Sequence, residues 1–260
     1  MHGKERTHVN IQKPKRIEML FLVLFLTLAP LCFGQERSIK NSIPVPDGYV
    51  RQTYPGGSYS NWIQNLPLKD RPAILNYQGQ VIDFGFYNVW GVVRMPLLFR
   101  SDLEQCADFA MRFWAEYHRS TGKLNQLYLF DYNGRKKLFK QSGQSFTQFI
   151  KTAFANTNSH SLKKGCASVE SAQLRPGDMF IQNERSGIGH VSIILDMCRS
   201  KKGEKLFLIG YSFMPAQEFH IEKAKTEYGI EGWFTLEGYT RYLKDFLDFG
   251  VPVLKRFDSL

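Results

Sequence analysis

Residues 175–213 read RPGDMFIQNERSGIGHVSIILDMCRSKKGEKLFLIGYSF, and the fold class follows from this stretch. Met179 to Gln182, His190 to Met197 and Leu206 to Phe213 are short runs rich in branched and aromatic side chains, which predicts three consecutive strands. The intervals between them are too short for a crossover helix, so the strands pair as an antiparallel meander. Pro176-Gly177-Asp178 forms a turn that delivers the first strand, and Gly189-His190 opens the second.

Working outward, Leu103, Cys106, Ala107, Ala110, Met111, Trp114 and Tyr117 recur on one helical face. Ser101 and Glu104 have capping-box spacing ahead of that face, which predicts a helix from there to about Arg119. Leu127 to Tyr132, the Asn133-Gly134 turn and Lys137 to Lys140 read as a hairpin. A second amphipathic helix carries Phe146, Phe149, Ile150, Ala153 and Phe154, and Ser58 caps a short helix through Trp62. Leu75 to Val81 and Val89 to Met95 read as strands, and the aromatic stretch from Trp233 to Phe249 as a closing helix. Helices packed on a mostly antiparallel sheet make an α+β domain, and no composition break divides residues 35–260.

The first 34 residues are a different matter. Lys4, Arg6, Lys13, Lys15 and Arg16 precede an uncharged apolar run from Met19 to Phe33, shorter than the roughly 20 residues of a transmembrane helix. This is the pattern of a signal peptide, cleaved after Gly34 to leave Gln35 first. A lipoprotein signal acylated at Cys32 is the second reading, and periplasmic or extracellular export follows from either. The chain holds 34 Lys and Arg against 24 Asp and Glu, a formal +10, of which residues 1–34 carry +3 and the remainder +7. A basic exported protein suits an acidic envelope polymer such as peptidoglycan. The short, scattered basic clusters at 135–137, 163–164 and 201–202 do not form a nucleic-acid motif.

Export leaves Cys106, Cys166 and Cys198, an odd number, so at least one thiol is unpaired. No phosphate loop, dinucleotide fingerprint, His-Glu-x-x-His or Cys-x-x-Cys occurs. Cys106, His190 and His220 lack zinc-ligand spacing, and no cofactor is expected. Cys106 lies near the start of the main helix, where unsatisfied amides favour a thiolate, although it also falls on the apolar stripe. His190 follows it in the chain at a strand start, and an imidazole held beside a thiol can take its proton. A third polar group to orient the ring belongs near the next strand, at Ser212, Gln217 or Glu218, with Gln217 favoured.

Pro176-Gly177-Asp178, Gly189-His190 and Gln105-Cys106-Ala107 resemble the CHAP-type and NlpC-type amidases, papain-like cell-wall hydrolases. That resemblance implies a papain-like fold, Cys106 as nucleophile, His190 as general base, and hydrolysis or acyl transfer at an amide bond. A fuller resemblance runs through Leu66-Pro67-Leu68, the segment 102–108, Ala115-Glu116-Tyr117 and Ser212-Phe213-Met214-Pro215-Ala216-Gln217. It is to an uncharacterised family of secreted bacterial proteins, domain of unknown function 4846. The alternative to an enzyme is an envelope glycan- or peptide-binding module on the same scaffold.

Overall fold

The computed structural model describes residues 1–3, 37–184 and 187–258. The segment expected to be a signal peptide, with Cys32, Gly34 and the residue Gln35 after it, lies outside the described residues apart from its first three positions. The described residues from 37 onward form one compact unit. No helix among the described residues is long and apolar enough to cross a membrane.

The helices are α1 (Ile39–Ser42), α2 (Tyr59–Gln64), α3 (Cys106–Ser120), α4 (Phe139–Ser142), α5 (Phe146–Asn156), α6 (Ser159–Gly165) and α7 (Leu236–Phe246). The strands before the meander are β1 (Tyr49–Arg51), β2 (Val89–Val92), β3 (Tyr128–Phe130), β4 (Lys136–Leu138) and β5 (Ala167–Ser168). Then come β6 (Met179–Gln182), β7 (His190–Ser200), β8 (Lys205–Tyr211) and β9 (His220–Glu222), followed by β10 (Gly229–Ile230), β11 (Trp233–Phe234) and β12 (Val253–Arg256). The main sheet runs β10-β11-β8-β7-β6-β12-β5, with β1 on β7 and β2-β9 joined through β8. Every pairing in it is antiparallel, so the fold is α+β with the expected meander at its centre.

β7 is the organising strand. Its first nine residues are buried, and alternation sends successive side chains to opposite faces. Val191, Ile193 and Leu195 join the core under α3, where Phe109 and Phe113 are fully buried and contribute about 1.5–3 kcal/mol each. Ile194 turns the other way, into a second core with Phe180, Ile209 and Tyr211 beneath Tyr239 and Tyr242 of α7. The sheet is therefore covered on both faces. Along β7, β6 pairs from His190, but β8 pairs only as far as Ile193. The edge at residues 189–191 is left open on that side.

Several local expectations are corrected. α3 begins at Cys106, not at Ser101, because Glu104 is buried and taken by Arg112 and by the Leu98 N–H (2.7 Å). The capping box is instead Gln105 with Asp108, whose Oδ2 accepts the Gln105 N–H at 2.9 Å. Leu75 and Val81 meet as an isolated bridge around Gly79, not a strand, and the strand expected to Met95 ends at Val92. α6 forms within a polar stretch with no apolar stripe, on an Asn158 cap that accepts from the N–H groups of His160 and Ser161. β12 returns the chain end to the sheet, fixed by a two-pronged ion pair of Arg256 with Asp178 at 2.6 and 2.7 Å. That pair gives the Pro-Gly-Asp turn its structural use.

Candidate active site

Gln105 is extended (φ −108°, ψ −163°) and Cys106 is the first helical residue of α3. The lead-in is held by Asp102, whose Oδ1 accepts from Gln105 Nε2 (3.0 Å) and from the Ala216 N–H (2.6 Å). This places the 214–217 loop beside the start of α3. Cys106 lines an open groove of about 440 Å³ between the first turn of α3, the α5–α6 junction, residues 187–189 and Met214. Only 7% of the residue is exposed, so the sulfur belongs to the groove floor.

The thiol sits against the open edge of β7, donating to the Gly189 carbonyl at 3.9 Å. Burial pushes it up to about 12, and the nearby Asp108 adds to that. The backbone N–H groups of Val191, Ala107 and Cys106 pull the other way and do not prevail. The sequence expectation of a thiolate favoured by the helix end is thus reversed at rest: desolvation outweighs the helix amides.

His190 is fully buried at the same end of β7, but alternation turns it to the α7 face. Its ring packs among Tyr211 (5.1 Å between centroids), Phe213 (5.7 Å) and Phe249 (6.2 Å). Neither ring nitrogen has a hydrogen-bond partner, and burial, with His220 nearby, lowers the imidazole to about 3. The structure brings Cys106 and His190 to one end of one strand without bonding them to each other.

Gln217 is not attached to His190 either. Its Nε2 donates to the Tyr87 hydroxyl at 2.8 Å, its Oε1 is buried without a partner, and its carbonyl accepts from Ser212 Oγ at 2.7 Å. The other candidates for an orienting group are also committed. Glu218 pairs with Lys69 at 2.7 Å and accepts the Leu75 N–H, and Ser212 is spent on Gln217.

A buried polar group that sequence reasoning missed lies on the α7 side. His220 is fully buried, with Nε2 at 3.3 Å from Glu222 Oε2. Glu222 also accepts from Tyr211 (3.3 Å) and from the Asn88 N–H (2.9 Å). The His220 ring lies 4.4 Å from both Tyr87 and Tyr211. The i, i+2 spacing of His220 and Glu222 on one strand was the available signal, since it puts both on one face. Cys166 and Cys198 are also buried, and all three described thiols are free. Among the described residues no cluster of three His, Cys, Asp or Glu side chains could hold a metal ion.

Comparison with curated proteins finds no match, and comparison with solved structures finds none. A family model does match, in two overlapping segments, 39–141 and 130–256, that together take in α1 to β12 and both halves of the groove. By that match the chain belongs to the family described as domain of unknown function (4846).

Proposed function

We propose that the chain is an exported, papain-like cysteine hydrolase or acyl transferase that acts on an amide bond, with cell-wall peptides as the substrate class. The observation that carries this reading is Cys106, at the head of a 15-residue helix on the floor of an open groove, with its sulfur against the strand that His190 begins. Sulfur attacks the amide carbon, the C–N bond breaks, and the amine leaves with the proton that His190 carries over from the thiol. Water, or an acceptor amine in acyl transfer, then releases the acyl group from the thioester.

The resting pair is neutral on both sides, thiol up and imidazole down. Activation needs the start of β7 to rearrange so that the His190 ring reaches the thiol, at a place where β8 does not pair with β7 before Ile193. Substrate filling the groove supplies the drive by displacing the thiol from the Gly189 carbonyl. An apo geometry looser than the working one is ordinary for such sites.

A second reading is favoured by a specific observation: at rest the thiol is bonded to a carbonyl and His190 to nothing. On that reading the groove binds an envelope glycan or peptide without chemistry. Export, with the mature chain starting at Gln35 or anchored by lipid at Cys32, is common to both. The experiment that separates them is release of new amino groups from purified peptidoglycan peptides by the intact chain and by Cys106→Ala. The enzyme reading expects release that the substitution abolishes, and the binding reading expects none from either.

A further inference from the structure

The groove over Cys106 carries information about the charge of what enters it, an inference that rests on reading this groove as the substrate site. Two carboxylates line it, Asp102 and Asp108, together with Gly189, and among the described residues no Lys, Arg or His side chain does. This holds in a chain with 34 basic residues against 24 acidic ones, so the groove runs against the charge of the molecule. A helix start ordinarily draws an anion. Here Asp108 already occupies that position, and its second oxygen is the anomaly.

Asp102 is satisfied by Gln105 and Ala216. Asp108 is 6% exposed, and while its Oδ2 accepts from Gln105, its Oδ1 is buried with no partner. A carboxylate oxygen is an acceptor only, so what completes it must donate an N–H or O–H, and a cationic donor does so best. Gly189 offers a second acceptor beside the sulfur once the thiol proton has left.

We propose that the groove takes a substrate group bearing a positively charged amine, with Asp108 Oδ1 receiving one of its N–H bonds. The amine is the free α-amine of a peptide or the ammonium of a lysine-like side chain. Cys106 and Asp108 line one groove, so the amine and the amide under attack belong to one peptide ligand. An ammonium there also opposes the burial that holds the Asp108 carboxyl well above its usual range.

The test uses the full chain with Cys106→Ser, which keeps the groove and forms no thioester. Calorimetry compares alanyl-alanine amide, Nα-acetyl-lysine amide and the uncharged N-acetyl-alanyl-alanine amide. One of the two amines is expected to bind at least about 10-fold tighter than the uncharged peptide, and which one identifies the source of the amine. Asp108→Asn, which keeps an acceptor for the Gln105 N–H, is expected to remove that preference. If that variant does not fold, the preference in the chain with Asp108 intact must be lost when the ammonium of the tighter ligand is replaced by a neutral hydroxyl, since salt screens a pair with the buried Oδ1 only weakly. Equal binding of all three peptides, no binding of any, or a preference that survives Asp108→Asn or the loss of the amine's charge overturns the proposal. Amine preference with no turnover by the Cys106 protein counts against the hydrolase reading alone, and turnover without amine preference counts against this inference alone.

Discussion

The sulfur of Cys106 lies 3.9 Å from the carbonyl oxygen of Gly189, the residue immediately before His190. That contact joins the head of α3 to the open edge of β7 and decides how the thiol behaves at rest. The first prediction concerns reactivity. Cys106 lines the groove, whereas Cys198 is fully buried and Cys166 nearly so. Iodoacetamide mapped by mass spectrometry should label Cys106 first, slowly at pH 6 and faster toward pH 10, because the thiol is held up to about 12. Faster labelling of Cys166 or Cys198 in the folded chain would contradict the groove geometry.

Gly189 has no room for a side chain. A Cβ there would collide with the Gln182 carbonyl, with Ser159 Oγ and, at 2.8 Å, with Asn183 Nδ2. Gly189→Ala should therefore displace the 187–189 loop from Cys106 and cost about 1–3 kcal/mol in a denaturant titration, the usual toll of overpacking. Unchanged stability together with an unchanged Cys106 labelling rate would show the contact to be loose.

His190 sets a pH dependence of stability. Its folded value, about 3, lies below the ordinary 6.5, so the unfolded chain binds a proton that the folded chain refuses. The stability this contributes is complete above pH 6.5 and is lost as pH falls toward 3, at up to about 1.4 kcal/mol per pH unit. Asp108, Asp178, Asp196 and Glu104, all raised by burial, act in the opposite sense over the acid range. The difference between the chain as it stands and His190→Phe isolates the histidine. That difference should change by several kcal/mol between pH 6.5 and 3.5, and a flat one would place the ring in water.

The buried pair of Glu104 with Arg112 fixes the run into α3. Arg112→Met leaves a buried carboxylate without its partner, which typically costs about 3–5 kcal/mol. In a domain of this size that is a fall in Tm of roughly 10 °C. Double replacement of both residues by apolar ones should recover most of the loss, since the pair's own net contribution is small. A single substitution with no thermal effect would refute the pairing.

How much of this was legible beforehand depends on which physical signal each element used. The meander was readable because β6, β7 and β8 are continuous apolar runs divided by turn residues, and their bounds shift by only a few positions. The start of α3 was not, because Glu104 fits a capping box by spacing and only the tertiary partner Arg112 reveals its other use. The place of Cys106 at a helix head was legible, but its spacing equally put it on the apolar stripe, and the groove above it is a tertiary fact. The direction His190 faces was not legible: strand parity says that it opposes Val191, but which face α3 covers is a tertiary fact. The same holds for Gln217, whose bond to Tyr87 spans 130 positions of sequence.

A covalent intermediate is the direct mark of Cys106 as a nucleophile toward amides. The full chain is mixed with purified peptidoglycan stem peptides, quenched in acid within seconds and measured by intact-mass and peptide-mapping spectrometry. An acyl adduct is expected on Cys106, absent in Cys106→Ala, with new amino groups in solution and turnover reduced about 10⁴-fold or more by that substitution. No adduct and no released amine from any stem peptide, or release that persists in Cys106→Ala, would contradict that role.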